Sequence, residues 1–172
     1  AFDKSAKIMG LPYPGGPLID KYAQKGDASK YKFSKPKVGE FNYSFSGLKT
    51  GILYFLQKQV KTNPDFIKEN INDLCASIQK TIIDILFTKL ELAAEKTGIK
   101  RIAIAGGVSA NSELRTELKK REESLNWKTF IPKFEYCTDN GGMIAISAYY
   151  KYLQKDFCDM KVKAKARTPI NS

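Results

Sequence analysis

The sequence has no histidine among its 172 residues. This absence removes the most common general base and the most common metal-ligating side chain of proteins. The three cysteines, Cys75, Cys137 and Cys158, lie far apart and form no CxxC pair, which argues against both a disulfide framework and a zinc ribbon. We therefore expect buried or free thiols. Any chemistry must depend on other side chains, on backbone groups, or on residues of another chain segment.

Long apolar runs are also missing. No stretch approaches the roughly 18 uncharged residues that a transmembrane helix requires, and the start of the chain has no signal-peptide pattern. Hydrophobic residues make up 42% of the sequence and charged residues 27%, which is typical of a globular protein with a real core. We expect a cytoplasmic protein that does not enter a membrane.

Acidic residues are scarce relative to basic ones. Twenty-nine lysines and arginines face 18 acids, giving a net charge of +11. Such a charge suits a polyanion such as nucleic acid, and it equally suits a lysine-rich surface that only aids solubility. Basic residues crowd the end of the chain, against only Asp156 and Asp159, and this favours a nucleic-acid partner: Lys151, Lys155, Lys161, Lys163, Lys165 and Arg167.

Apolar periodicity predicts a mainly helical first part of the chain. The chain starts without methionine, directly in a helical pattern, so we interpret it as cut from a longer one. Tyr13 to Pro17 is a strong break, and Pro64 marks another helix entry. Helices are predicted at residues 2–9, 18–25, 47–59 and 71–98, with an exposed strand at 42–46.

The pattern changes after Gly98. Short apolar runs predict strands at 101–105 and 128–131, with helices at 112–123 and 143–153. This order implies an α/β fold in which the loops after the strands form a crevice. We divide the chain into a mainly helical subdomain (1–98), an α/β core (99–155) and a basic tail (156–172).

Two polar segments near the start of the chain could bind a ligand. Asp3 lies on an early helical turn, where a carboxylate also serves as a simple structural charge. Gly15 and Gly16 precede a helix whose free N–H groups favour anions, and a plain two-glycine turn explains them equally well. Asp20 either accepts ribose-type hydroxyl groups or faces solvent.

Two later segments have the same ambiguity. Residues 105–111 form a strand–diglycine–helix junction, where nucleotides bind in open α/β folds, yet they lack the GxGxxG spacing and the P-loop lysine. Asp139 is either an ordinary helix cap or one oxygen ligand of a metal whose other ligands lie elsewhere. One carboxylate cannot build a metal site.

Four segments taken together resemble the TsaD family in order and spacing: AFDKSAKIMGLPYPGGPLID, FNYSFSGLKT, AGGVSANSELR and CTDNGGMIA. The likeness runs from Ala1 to the KAKARTPI tail. This family was formerly labelled glycoprotease or O-sialoglycoprotein endopeptidase. The resemblance implies a lobe similar to those of actin, Hsp70 and sugar kinases, with a ribonuclease-H-like fold and a nucleotide-type ligand in the cleft between two lobes.

The resemblance also implies an activity. It is the transfer of a threonylcarbamoyl group from threonylcarbamoyl-adenylate to N6 of an adenosine beside the anticodon of a tRNA. A divalent metal, iron first and zinc second, is implied as a Lewis acid, with TsaB-type and TsaE-type proteins as partners. No catalytic side chain is implied in this chain, but four substrate-binding residues and one metal ligand are: Asp3, Gly16, Asp20 and Asn111, and Asp139 for the metal.

Two family elements have no counterpart in this sequence. The family's HxxxH helix supplies two histidine metal ligands, and its SGGHT-type loop binds phosphate. Both precede the AFDK motif, so we expect a carboxy-terminal portion that is metal-free and inactive by itself. Two alternatives are an O-sialoglycoprotein metalloendopeptidase, which the absence of an HExxH motif disfavours, and a non-catalytic actin-like module that docks tRNA.

Overall fold

The computed structural model describes residues 1–163. Within this range the chain forms seven α-helices, two short strands and two single-turn 3-10 helices. Their bounds are α1 (Phe2–Ile8), α2 (Gly15–Ala23), α3 (Leu48–Thr62), α4 (Phe66–Glu69), α5 (Ile71–Thr97), β1 (Arg101–Ala103), α6 (Ser112–Ser124), β2 (Lys128–Phe130) and α7 (Gly141–Leu153), with 3-10 turns at Gly107–Ala110 and Phe134–Tyr136. Lys165 and Arg167 of the predicted basic tail lie outside the described residues.

The long helix α5 organises the fold because its apolar face is buried along most of its length. Its first half packs on α2 and shares with α1 and α3 a core that includes Ile19, Ile52, Leu74 and Ile78. Burial of each such side chain contributes roughly 1.5–3 kcal/mol. The helix ends at Gly98, whose positive φ of 69° closes its last turn. The predicted helix at 71–98 is confirmed to within one residue.

The second half of α5 covers a small sheet. Ile83 and Phe87 pack with Ile102, Leu118 and Trp127 in a separate core. The strands β1 and β2 pair in parallel, with Arg101 opposite Lys128, and α6 connects them. Both predicted strands are confirmed, although each is shorter than the apolar run that predicts it. The described chain is therefore mostly helical, with a two-stranded parallel sheet.

The exposed strand predicted at 42–46 is wrong, because these residues form a turn and an irregular loop. A strand needs a neighbour that takes up its hydrogen bonds, and the loop 38–40 just before this segment instead points its carbonyl groups at a side chain. Lys89 on α5 donates to the carbonyl oxygens of Val38, Gly39 and Glu40 at 2.9–3.3 Å.

The start of α2 also differs from the prediction. The helix begins at Gly15 rather than at residue 18, so Pro17 lies within its first turn, where a missing N–H costs little. The earlier start has a cause in tertiary structure, because a carboxylate from α1 accepts hydrogen bonds from the first N–H groups of α2.

No helix among residues 1–163 is long and apolar enough to cross a membrane.

Candidate functional site

Asp3 on α1 is bound to the diglycine at the start of α2. Its Oδ1 accepts hydrogen bonds from the backbone N–H groups of Gly15, at 2.8 Å, and Gly16, at 3.1 Å. A carboxylate in this place satisfies two of the four N–H groups that a helix leaves free at its start, and it complements the positive end of the helix dipole. Asp3 and Gly16, which the sequence pairs only through a family resemblance, are in direct contact.

The two glycines differ in what their surroundings require. A Cβ atom on Gly15 would lie 2.3 Å from the Cβ of Ala6, so the approach of α1 to α2 excludes any side chain there. A Cβ on Gly16 would meet only the Cβ of Phe2, at 3.9 Å, which is ordinary contact. The chain's own packing therefore explains glycine at position 15 and does not explain it at position 16.

Asp20 lies one turn after Gly16 on α2 and reaches the start of α6. Its Oδ1 accepts a hydrogen bond from the Ser112 hydroxyl at 2.7 Å, and its Oδ2 accepts one from the Ser112 backbone N–H at 3.0 Å. Ser112 is the first residue of α6, so Asp20 complements the dipole of that helix as Asp3 does for α2. Each oxygen keeps a second lone pair for another donor.

Asn111 is the N-cap of α6 and is 9% exposed. Its Oδ1 accepts from the Leu114 backbone N–H at 2.9 Å, and its Nδ2 donates to Oε1 of Gln79 on α5 at 2.7 Å. The side chain therefore has a structural function of its own: it caps a helix and satisfies a buried amide.

These contacts connect four of the predicted residues in one path. Asp3 contacts Gly16, Asp20 follows on the same helix, and Asp20 contacts the residue after Asn111. The predicted substrate-binding residues are therefore brought together along α2 and the first turn of α6. Two surface depressions lie elsewhere, one of about 440 Å³ beside Lys4 and Lys49, the other of about 650 Å³ between α3 and α4.

Asp139 lies apart from this path, in the loop between β2 and α7. Its side chain is exposed, and no hydrogen bond or ion pair to its carboxylate is found among the described residues. The ordinary helix-cap role is wrong for this residue, because Asn140 caps α7 by accepting from the Met143 backbone N–H at 3.0 Å. The carboxylate of Asp139 therefore makes no hydrogen bond or ion pair within residues 1–163.

A metal would need further ligands. No group of three or more histidine, cysteine, aspartate or glutamate side chains that could hold a metal ion occurs in the part of the chain that the structure describes. Asp139 supplies one exposed oxygen donor, and one donor does not make a site. These residues by themselves do not fit a complete metal centre.

Three further residues support the site, and the sequence pattern reveals little of them. Ser112 and Gln79 are the partners of Asp20 and Asn111, and a polar residue on the apolar face of α5 is the only sign of Gln79. The third, Arg115, lies one turn after Asn111 within the AGGVSANSELR segment. Its guanidinium bonds the loops that follow both strands.

Comparison with known proteins identifies the family. Residues 1–146 match the family model described as TsaD: tRNA N6-adenosine threonylcarbamoyltransferase. A Christiangramia forsetii protein of that name is 61% identical over 167 residues, which are 97% of this chain and 49% of the relative. Proteins of the same name from Riemerella anatipestifer and Cytophaga hutchinsonii are 56% and 51% identical, each over 99% of this chain and 50% of its relative.

The chain thus spans about half the length of the curated relatives it matches. The family match covers most of its residues, and identity well above 30% extends over nearly all of it. This chain belongs to the TsaD family of tRNA N6-adenosine threonylcarbamoyltransferases.

Proposed function

We propose that this chain is part of an enzyme that transfers threonylcarbamoyl from threonylcarbamoyl-adenylate to N6 of a tRNA adenosine. In this proposal Asp3, Gly16, Asp20 and Asn111 form one wall of the adenylate site, and Asp139 supplies one ligand of a divalent metal, iron or zinc. The relatives' names support the transferase over the endopeptidase and over a non-catalytic docking module.

Gly16 is the observation that carries the proposal. Glycine is a poorer helix former than alanine, and no packing contact of the described chain requires it here. A ligand that approaches the α2 backbone closely would require it, because a Cβ would then occupy the ligand's space. The backbone N–H groups of Gly15 and Gly16 already donate to Asp3, and Pro17 has no N–H, so the ligand would use the space that Gly16 leaves open beside the backbone rather than free donors for an anion.

The reaction needs positioning more than it needs a reactive side chain of this chain. The donor is a mixed anhydride, and the adenosine N6 attacks the carbonyl carbon of its threonylcarbamoyl group. A C–N bond forms, the C–O bond to the phosphate breaks, AMP leaves, and N6 loses a proton. Asp20 is suited to accept ribose hydroxyl groups, because each of its oxygens keeps a lone pair. When bound, the metal would supply Lewis-acid polarisation.

Asn111 contributes to this wall mainly by holding the start of α6 in place. Its side chain is engaged with Leu114 and Gln79, so it holds the start of α6 in place and keeps one N–H and one lone pair for a ligand. A contact of Asn111 with the adenylate would use these remaining positions.

The surface of α7 indicates where the remaining half of the enzyme would pack. Every residue of this helix is exposed, although Met143, Ile146, Tyr150 and Leu153 recur at helical spacing and form an apolar stripe. Exposed apolar stripes of this kind are normally covered. The relatives are about twice as long as this chain, and we propose that the additional sequence packs on α7 and completes an actin-like, two-lobed enzyme.

Further parts of the proposal concern the chain's divisions and partners. Residues 1–98 form the helical subdomain and residues 99–155 the α/β core of one lobe, with tRNA as the partner of the +11 chain. TsaB-type and TsaE-type proteins would bind the completed enzyme in the cytoplasm. The 172-residue chain by itself would be metal-free and inactive, because Asp139 lacks companion ligands among the described residues.

The glycine pair gives a sharp test of the ligand wall. The host is a full-length chimera, in which this chain replaces the matching 167-residue stretch of the C. forsetii relative. We expect Gly16→Ala to keep or slightly raise the melting temperature and to weaken binding of a non-hydrolysable adenylate analogue by at least about tenfold, equivalent to about 1.4 kcal/mol. Gly15→Ala should instead lower the melting temperature, because its Cβ would collide with Ala6.

Calorimetric titration of the analogue and thermal unfolding measure the two effects separately. If Gly16→Ala bound the analogue as tightly as the parent chimera, Gly16 would not be a ligand contact and the proposed wall would be misplaced.

A further inference from the structure

The loops that leave the two parallel strands are joined by a single side chain. Arg115 on α6 donates from Nε to the carbonyl oxygen of Ser109, at 2.6 Å, in the loop after β1. Its Nη2 donates to the carbonyl oxygen of Pro132, at 2.7 Å, in the loop after β2. Ligands of open α/β folds bind at this edge of the sheet, where the strands end.

The same guanidinium also holds the segment that leads to Asp139. Its Nη2 lies 3.1 Å from Sγ of Cys137, and its central carbon lies 4.0 Å from the ring centre of Phe134. Cys137 is only 2% exposed although its neighbours in sequence are exposed. The loop is therefore anchored at Cys137, two residues before Asp139.

Only arginine can make this set of contacts. The guanidinium is a planar fork with five N–H donors, so one side chain can bind two carbonyl groups and a thiol and still stack on a ring. Lysine would offer a point charge that reaches one of these loops at a time. Within residues 1–163 the two loops make no strand pairing with each other beyond the bond from Ile104 N–H to the Phe130 carbonyl, so Arg115 is the side chain whose hydrogen bonds join them past the strand ends.

We propose that Arg115 is a positioning residue. It fixes the loop of Asp139 at one distance from the loop of Gly106 to Asn111, and so sets the spacing between the metal-ligand side and the adenylate side of the site. This role rests on the proposed function, which assigns Asp139 and Asn111 to those two sides. Arg115 would act through the two loops that it bonds.

Thiol labelling of the 172-residue chain tests the anchoring directly. Cys158 is exposed, so a Cys158→Ser background leaves Cys137 and Cys75 as the two buried thiols. Arg115→Gln should raise the labelling rate of Cys137 by at least about tenfold through local opening of the loop. Cys75, buried in the other core, should keep its rate and serves as the internal reference for the global fold.

A matched control lies on the same helix. Arg121 binds Glu91 and Glu117 and stacks on Phe87, so Arg121→Gln breaks comparable contacts without touching either loop. It should leave the labelling of Cys137 unchanged. An unchanged Cys137 rate in Arg115→Gln would overturn the proposal, and so would an equal rise at Cys75, because the arginine would then be a general structural contact.

The second arm uses the full-length chimera. Arg115→Gln should lower threonylcarbamoyl transfer by at least about tenfold, with partial recovery in Arg115→Lys, while Arg121→Gln stays at the parent level. Faster labelling of Cys137 together with unchanged transfer in Arg115→Gln would overturn the positioning role. An Asp139→Ala chimera that transfers at the parent rate would instead overturn the proposed function, and the labelling result would still decide whether Arg115 anchors the loop.

Discussion

At the scale of single residues, the site depends on carboxylates and amides that have structural partners. Asp3 and Asp20 each complement the start of a helix, and Asn111 links α6 to a buried amide of α5. A ligand that binds these groups would replace no existing contact, because lone pairs remain on both carboxylates. The same residues can therefore preserve the fold and face a ligand.

The three thiols should differ sharply in reactivity. Burial raises the pKa of the Cys75 thiol to about 12, and Cys137 is held beneath Arg115, whereas Cys158 is exposed. Because the thiolate is the reactive form, we expect a disulfide-exchange reagent at pH 8 to modify Cys158 quickly and the other two slowly. All three should react after unfolding in guanidinium. Equal rates for Cys137 and Cys158 in the native chain would contradict this structure.

At the scale of elements, apolar periodicity predicts the helices and strands whose formation depends on residues close by in the sequence. The helices at 71–98 and 112–123 follow from apolar spacing, and the two strands follow from short apolar runs before glycine or proline. Their parallel pairing follows from the helix between them. The predicted strand at 42–46 is wrong, because an alternating pattern does not show whether a second strand lies beside it to pair with. The earlier start of α2 depends on Asp3, twelve residues away from Gly15.

The candidate site likewise depends on contacts between residues far apart in the sequence, which a local pattern does not predict. Positions 3, 16, 20 and 111 are predicted only through a family resemblance, and the structure connects them through contacts that span up to 92 positions of sequence. Ser112 and Gln79 complete these contacts, and Arg115 joins the loops after the two strands. Each is an unremarkable helical residue until tertiary packing places it, so no local pattern could have assigned its role.

The N-cap of α6 should contribute more to the free energy of unfolding than the N-cap of α7. Asn111→Ala removes a cap, which costs about 1 kcal/mol, and leaves the buried Gln79 amide without its partner, which costs about 1–3 kcal/mol more. Asn140→Ala removes a cap and an exposed hydrogen bond to the Thr138 carbonyl, and it leaves no buried polar group without its partner. Urea unfolding followed by circular dichroism compares the two variants. A larger loss of unfolding free energy in Asn140→Ala than in Asn111→Ala would contradict the buried hydrogen bond between Asn111 and Gln79.

At the scale of the whole molecule, α7 should make the 172-residue chain self-associate. Nothing in residues 1–163 covers its apolar stripe, and removing such surface from water contributes about 25 cal/mol per Å². We expect concentration-dependent oligomers in sedimentation velocity, which Ile146→Gln with Leu153→Gln should weaken. Tyr54→Gln changes an equally exposed side chain on α3 and should leave association unchanged. A strictly monomeric parent chain, or equal weakening by the control, would contradict the role of α7 as a covered surface.

We propose that this chain contributes a metal ligand and a ligand wall to a longer transferase. The most direct measurement is threonylcarbamoyl transfer to tRNA by the full-length chimera carrying Asp139→Ala, beside Asp65→Ala, the same change at another exposed aspartate without a side-chain cap bond. We predict a loss of at least about a hundredfold, or about 2.7 kcal/mol, for Asp139→Ala, and parent activity for Asp65→Ala. Full transfer by Asp139→Ala, or transfer by the 172-residue chain alone, would contradict the account.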